Sequence, residues 1–403
     1  MFNRNPMVAK LQALRTHLST PASEVFIRFL TPICTRTPVL GTILGSLAAL
    51  AGYIFLFFSP IVLIFLIWKL PVLVLDLNSL EDGIILAITT LAIVFTSLMS
   101  YTLFTSKFSP PRGLVLEQVM APKLFQQIEN IENQYEHAVV HRIILRNDFS
   151  LNIIKSPKFG MPFITDNTLV IGAPLLLSLP TEVFNSLLTR RIGQSIGKHH
   201  TVSSHLLHLR TSWRRYRDGF SRQGSYVKKL YFYFFRFFVP VYDLMSFFAA
   251  RNDELASDQA TLHIMNDRDF AAAMSQEIVT RKFLDQIYWP KIYQLAREDK
   301  TEVCFPFRHM GKVIKKGLRR DDIHRWIKEA MAKQPSLTHY MPALTQRLVS
   351  IGHTKPGAPD PITSNAALNY IAPNALAKII SHFDAQWLKL YNKRLRKSSK
   401  KSV

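Results

Sequence analysis

The stretch from Thr37 to Trp68, TPVLGTILGSLAALAGYIFLFFSPIVLIFLIW, carries no charged residue over 32 positions. A second stretch, Gly83 to Ser106, GIILAITTLAIVFTSLMSYTLFTS, is uncharged over 24. A helix needs about 20 apolar residues to cross the hydrocarbon core of a bilayer. A helix in a soluble core rarely runs that long without a charge. The two stretches therefore predict a transmembrane helical hairpin over 37–106. The first is longer than one span needs; Pro60 inside it could kink it, or the excess could tilt.

Charge orients the hairpin. The connector from Lys69 to Asp82 holds one Lys and three acids, Asp76, Glu81 and Asp82, whereas Met1 to Thr37 holds five Lys/Arg and one acid. Lys107 and Arg112 follow the second span. Basic flanks stay inside, so both termini and everything after Lys107 are expected on the cytoplasmic side of an inner membrane. The first 36 residues lack the short apolar core and small-residue cleavage site of a signal peptide. Cys34 and Cys304 are the only cysteines of the 403 residues. They form no CxxC pair, so a disulfide framework and a thiolate zinc site are both excluded, in keeping with a reducing compartment.

The formal net charge is +22, and residues 389–403 carry seven Lys/Arg and no acid. Beside a membrane such a run gains about 1 kcal/mol per basic residue from anionic lipid, which makes anionic membrane lipid the expected partner. No stretch reads as a nucleic-acid-binding module, so nucleic acid is not expected.

The chain divides into a basic cytoplasmic segment (1–36), the hairpin (37–106), an α+β, mainly helical domain (107–360) and a C-terminal helix with a basic tail (361–403). An amphipathic helix is predicted over Gln118–Tyr135, and strands over Ala138–Leu145, Leu151–Lys155 and Thr168–Gly172. A long helix starts at Pro180–Thr181–Glu182, with Pro early and an acid in its first turn, and runs past Arg191 towards His200. Helix is also expected from Asp258 to about Glu298. Lys229–Arg251 holds ten aromatic residues around Arg236, Pro240 and Asp243. Its charges argue against a full span. Aromatics with a snorkelling Arg suit an interfacial or re-entrant helix, and a buried helix of the domain is the alternative.

The segment Asp166–His200, DNTLVIGAPLLLSLPTEVFNSLLTRRIGQSIGKHH, resembles the membrane zinc metallopeptidases of the HtpX and CAAX-prenyl-endopeptidase type. Leu179, Glu182 and Ser186–Leu187–Leu188–Thr189 match that family's LS-x-E helix start and the run leading into AHELGH. ARNDELASD (Ala250–Asp258) is similar to its SR-x-x-E-x-x-A-D helix. YWPKIYQLA (Tyr288–Ala296), THYMPALTQRL (Thr338–Leu348) and FDAQW (Phe383–Trp387) resemble later stretches in the same order. Together they cover roughly 107–395. The resemblance implies a zincin-like (gluzincin) domain with a small sheet behind the hairpin.

In that family an HExxH helix presents two His at i and i+4 to one zinc ion, and the Glu between them is the general base on the metal-bound water. A Glu of a second helix is the third ligand, and the Asp one turn later supports a ligand His. Position by position, Arg190 stands for the first His, Arg191 for the Glu and Gln194 for the second His, with Ile192 and Gly193 between. Glu254 and Asp258 survive. Arginine stays protonated and has no lone pair to give, so the resemblance implies a degenerate site from which zinc has been lost. No other cofactor is expected. His339 and Arg347 match accessory residues of the family, although Tyr340 and Met341 are inserted between His339 and Pro342. His199, His200, His205 and His208 cluster downstream, either as solvated or lipid-facing histidines or as an alternative metal set. Outside the resemblance, TRRIGQ reads as a basic patch on the exposed face of a helix.

These residues favour a catalytically inactive membrane-anchored module that binds or regulates a polypeptide at the cytoplasmic face. An active metallopeptidase or other hydrolase with different ligands is the alternative, and a membrane-surface scaffold without a peptide groove is a third. The expected topology is checked by cysteine labelling of intact cells. Ser79→Cys reacts with an impermeant maleimide and Ser399→Cys does not; the reverse pattern would end the two-span reading.

Overall fold

The computed structural model describes residues 21–75, 77–197, 201–221, 225–298, 305–357 and 364–399, and among these helices dominate around one small sheet. The chain opens with α1 (Pro21–Arg36), α2 (Pro38–Leu75) and α3 (Leu80–Thr105). There follow β1 (Leu114–Val115), α4 (Pro122–Gln134), β2 (Arg142–Arg146), β3 (Leu151–Lys158), β4 (Met161–Gly172) and α5 (Ala173–Ser178). Then come α6 (Thr181–Ile196), α7 (Thr201–Ser221), α8 (Tyr226–Met245), α9 (Phe247–Thr261) and α10 (Asp267–Phe283). A π-helical turn, Leu284–Tyr288, leads into α11 (Trp289–Arg297). The chain continues through α12 (Pro306–Gly317), α13 (Arg320–Ala332), α14 (Leu344–Ser350), α15 (Ala366–Tyr370) and α16 (Pro373–Ser399).

Helices α2 and α3, of 38 and 26 residues, are long and apolar enough to cross a membrane. Lys69, expected in the connector, instead lies inside α2, which runs on to Leu75. Ser79 caps α3: its Oγ accepts the Asp82 N–H at 3.2 Å, while the Asp82 carboxylate accepts the Ser79 N–H at 2.9 Å. This reciprocal box satisfies two backbone donors at the helix start. The base of α2 buries a face of small residues, Gly41, Gly45, Ala48, Ala49 and Gly52. Small residues let helix backbones approach closely where hydrophobic burial gives no drive. A Cβ on Gly52 would sit 2.8 Å from Phe238 and 3.1 Å from Trp213. Around this base, α7 and α8 pack an aromatic core of Trp213, Tyr216, Phe220, Tyr231 and Phe235, all fully buried or nearly so.

The sheet runs β1-β2-β4-β3. Strand β4 is parallel to β2, Arg142 opposite Thr168, and antiparallel to β3, Leu151 opposite Ile171. The expected strands are present, but β2 begins only at Arg142 and β4 extends back to Met161. Strand β4 lies between β2 and β3, so Thr168–Gly172 is interior and Leu151–Lys155 belongs to the edge strand. Pro157 fits that edge, since proline cannot donate to a second neighbour. The β3–β4 hairpin closes through Phe159 and Gly160, both left-handed with φ of 52° and 67°, as a tight two-residue turn requires. A Cβ on Gly160 would meet the Leu103 carbonyl oxygen at 2.2 Å, so the hairpin tip is seated against the base of α3.

Helix α6 ends at Ile196 rather than near His200. Gly197 is left-handed, φ 74°, and its N–H closes on the Gly193 carbonyl, the usual way a glycine stops a helix. His199 and His200 lie outside the described residues. The helix expected from Asp258 to Glu298 is likewise interrupted, with Asn266 capping α10. The aromatic segment divides: α8 bends by 57° into α9 after Met245. One face of α8, including Tyr231, Phe235 and Tyr242, is buried, while Tyr233 and Phe237 on the other are exposed. The sheet, α4–α6 and α10–α13 form the main core, and α15 and α16 complete it with Tyr370, Phe383, Trp387 and Tyr391.

Gly52→Leu is expected to lower stability by about 1–3 kcal/mol through overpacking, read as an earlier thermal transition in detergent. Gly83→Leu, with nothing within 4 Å of its Cβ position, leaves the transition unchanged.

Candidate functional site

On helix α6, Gln194 lies one turn after both arginines, at i+4 from Arg190 and i+3 from Arg191, and so neighbours each of them on the helix surface. Helix α9 crosses it and presents Asp253, Glu254 and Asp258. The site forms where the two helices meet. Gly193 permits close packing on its other side, where a Cβ would sit 2.3 Å from the Tyr135 hydroxyl.

Arg190 occupies the centre, with its side chain 3% exposed. Its Nε donates to Asp258 Oδ1 at 2.5 Å and its Nη2 to Glu254 Oε2 at 2.6 Å. Nη2 also reaches the Glu254 carbonyl at 3.2 Å. Both carboxylates are essentially inaccessible, at 1% and 0%. Asp258 is shared: Arg347 of α14 donates to it from Nε at 2.7 Å and from Nη2 at 2.9 Å. The two-pronged guanidinium contact is the strong, directional form of this pair. Arg191 lies 3.7 Å from Glu254 Oε1 and donates to Gln194 Oε1 at 2.6 Å. Gln194 Nε2 turns to Asp253 Oδ2 at 3.3 Å.

Sequence reasoning brings Arg190, Arg191, Gln194, Glu254, Asp258 and Arg347 to this place, and they meet here. The basic-patch reading of TRRIGQ fails at Arg190, which is buried. His339 uses Nδ1 to accept the Met341 N–H at 3.1 Å and stacks on Tyr340 with ring centroids 5.2 Å apart. His205 pairs through Nε2 with the Tyr53 hydroxyl at 2.7 Å, which ties it to α2.

Several residues of the site were not singled out. Asp253 accepts the Ser204 hydroxyl at 2.5 Å. Lys155, on the edge strand, donates to the Ser195 carbonyl at 2.7 Å, and burial pulls its ammonium down to about 8 against the attraction of Asp253. Arg251 holds the loop that carries Tyr340, donating to the carbonyls of Tyr340 and His339 at 3.3 Å each and to that of Ser336. Tyr340 in turn lies under the Arg210 guanidinium, 4.9 Å from its centroid. The signal available for Asp253 was its position beside Glu254, and for Arg251 its place one turn earlier on the same helix.

Burial works against the Glu254 carboxylate, but Arg190 and Arg191 more than offset it and hold the group down at about 2. For Arg190 burial acts the other way, and Asp258 and Glu254 together raise it above the ordinary guanidinium value. The two acids at the centre of the cluster are buried and each is paired with arginine, the condition under which buried charges can persist in a low-dielectric interior.

The donor set does not fit zinc. The centre is filled by a guanidinium, which cannot ligate, and the oxygens of Glu254 and Asp258 are taken by arginines. Among the described residues, no group of three or more His, Cys, Asp or Glu could hold a metal ion. No family model, curated protein or solved structure matches the chain.

Arg190→Ala is expected to cost about 3 kcal/mol, because it removes the closest cation from two buried carboxylates and leaves Asp258 to Arg347 and Glu254 to the more distant Arg191. Denaturant unfolding in detergent measures this, and exposed Arg142→Ala should stay within about 0.5 kcal/mol. The folded value of Glu254 lies below its ordinary 4.5. Its stabilisation is therefore complete above about pH 4.5 and is lost as pH falls towards 2. Thermal transitions from pH 7 to pH 3 should show that fall, and Glu254→Gln should flatten it.

Proposed function

We propose that the chain is a membrane-anchored, catalytically inactive relative of the zinc metalloendopeptidases, with a zincin-like domain at the cytoplasmic face that binds or regulates a polypeptide. The observation that carries this reading is Arg190 lodged between Glu254 and Asp258. In the family that the sequence resembles, those two acids face a metal and its ligands. Here a guanidinium supplies the positive charge at the position of the first His, and neither a base nor a metal-bound water can be assembled around it.

Peptide binding does not require the metal. A polypeptide can add to an open sheet edge through backbone hydrogen bonds. Strand β3 is the terminal strand of the sheet, packed beside α6 and α7, and Lys155 ties it to the end of α6 beside the ion cluster. A retained edge beside a disabled centre favours a binding or regulatory role over hydrolysis.

Detergent-purified protein is expected to contain no stoichiometric zinc, whereas the variant Arg190→His with Arg191→Glu and Gln194→His gains it. Elemental analysis by mass spectrometry decides; stoichiometric zinc in the unaltered protein overturns the proposal. Photo-crosslinking amino acids at Asn152 and Ile154 should capture polypeptide in membranes. Their silence would favour the scaffold reading instead.

A further inference from the structure

At about 1.5 Å per residue, the 38 residues of α2 make a rod of about 57 Å, roughly twice the thickness of a bilayer core of about 30 Å. Its distal half packs mainly on α3, and its base packs on α7, α8 and α9. The outer face does not become polar where the domain begins. Val39, Leu47 and Ile54 at the base are 68%, 58% and 59% exposed, as open as Ile61 and Ile64 at 64% and 69%. Beside the base, α8 shows a stripe of its own. Tyr226, Leu230, Tyr233, Phe237 and Val241 repeat every three or four residues and are all exposed, whereas the opposite face is core.

Between the two helices runs an open groove of about 480 Å³, walled by Phe55 of α2 and by Leu230, Tyr233, Phe234, Phe237 and Phe238 of α8. Its volume falls in the range of small-molecule sites, about 300–1,000 Å³. Phe55 and Phe234 stack as its floor, with centroids 3.5 Å apart. The exposed Lys229 adjoins Leu230, and the exposed Arg236 adjoins Phe237; α8 carries one acid, Asp243, which is buried and paired with Arg210 and Arg214.

We infer that this groove seats an acyl chain of an anionic phospholipid, with Lys229 and Arg236 at its headgroup, so that α8 and the base of α2 lie in lipid. The inference rests on the hairpin crossing a membrane and is independent of the reading of the ion cluster. Three observations select the occupant. The apolar face is continuous with the helices that have the length to span, so lipid already surrounds its upper end. A contiguous apolar surface of this extent is rare on a face left in water. An isologous pair of chains across the groove would bring the same basic residues of both copies to one seam, which like charges oppose.

The test uses single-cysteine variants of the full chain, with Cys34 and Cys304 replaced by Ala, each carrying a bimane label. They are placed in nanodiscs of phosphatidylglycerol and phosphatidylethanolamine with brominated acyl chains. Phe237→Cys reports the groove, Ile64→Cys the distal half of α2, and Val349→Cys the domain surface. Brominated lipid is expected to quench positions 237 and 64 to a similar degree and to leave 349 unchanged, while aqueous iodide quenches only 349. Quenching at 237 by iodide but not by lipid, with 64 still quenched by lipid, overturns the inference and leaves the hairpin intact. Protection of 237 from both quenchers, with a crosslink to a second copy, overturns it in favour of a dimer. Loss of lipid quenching at 64 removes the spanning hairpin itself. Native mass spectrometry gives a second readout: the double variant Lys229→Ala with Arg236→Ala should retain several-fold less phosphatidylglycerol than the parent, and equal retention overturns the headgroup assignment.

Discussion

The two acids on α9 are the constraint around which this domain is built. Glu254 and Asp258 are buried to 1% and 0% exposure one helical turn apart. A carboxylate taken from water into a protein interior costs several kcal/mol unless it is paired and hydrogen-bonded. Arg190 answers both acids from α6, and Arg347 answers Asp258 a second time from α14. Three helices that are distant in sequence are thereby fixed to one another by geometry as well as by charge. A guanidinium suits this role better than an ammonium, because its planar fork can donate to two carboxylates at once. The surroundings follow from the same requirement. Asp253 is tied to Gln194 and Ser204, and Arg251 holds the Tyr340 loop by three backbone carbonyls.

The hairpin is joined to the domain as part of its packing. The small-residue face of α2 receives α7, α8 and α9, and Trp213, Tyr216 and Phe235 fill the space against it. The tip of the β3–β4 hairpin rests on α3 at Leu103. The base of the anchor and the wall of the site thus share one aromatic core, since α7 supplies Trp213 to that core and Ser204 to Asp253.

Much of this arrangement was legible in the sequence. Uncharged runs fixed the two long helices, because length and hydropathy need no tertiary context. Spacing placed Glu254 with Asp258, and the resemblance put Arg190 and Arg191 opposite them where that family has metal-binding and catalytic residues. What could not be read depends on contacts between distant segments. The order of strands in the sheet is one example: β4 lies inside and β3 at the edge, and no local pattern distinguishes them. The stop at Gly197 is another, where a backbone conformation ended a pattern that still looked helical. The second bond to Asp258 required the folded position of α14, although Arg347 itself was in view. Asp253 and Lys155 were missed because an acid beside another acid, and a lysine in a strand, read as solvated until their burial is known.

Arg190 and Glu254 form a buried pair with 2.6 Å between Nη2 and Oε2, in which each stabilises the other directly. A double-mutant cycle with Arg190→Ala and Glu254→Ala, followed by chemical unfolding in detergent, measures that coupling without reference to any ligand. The expected coupling energy is at least about 1.5 kcal/mol, as found for close charge pairs, with the double variant less damaged than the sum of the single ones. Additivity within about 0.5 kcal/mol, the behaviour of independent sites, would contradict it.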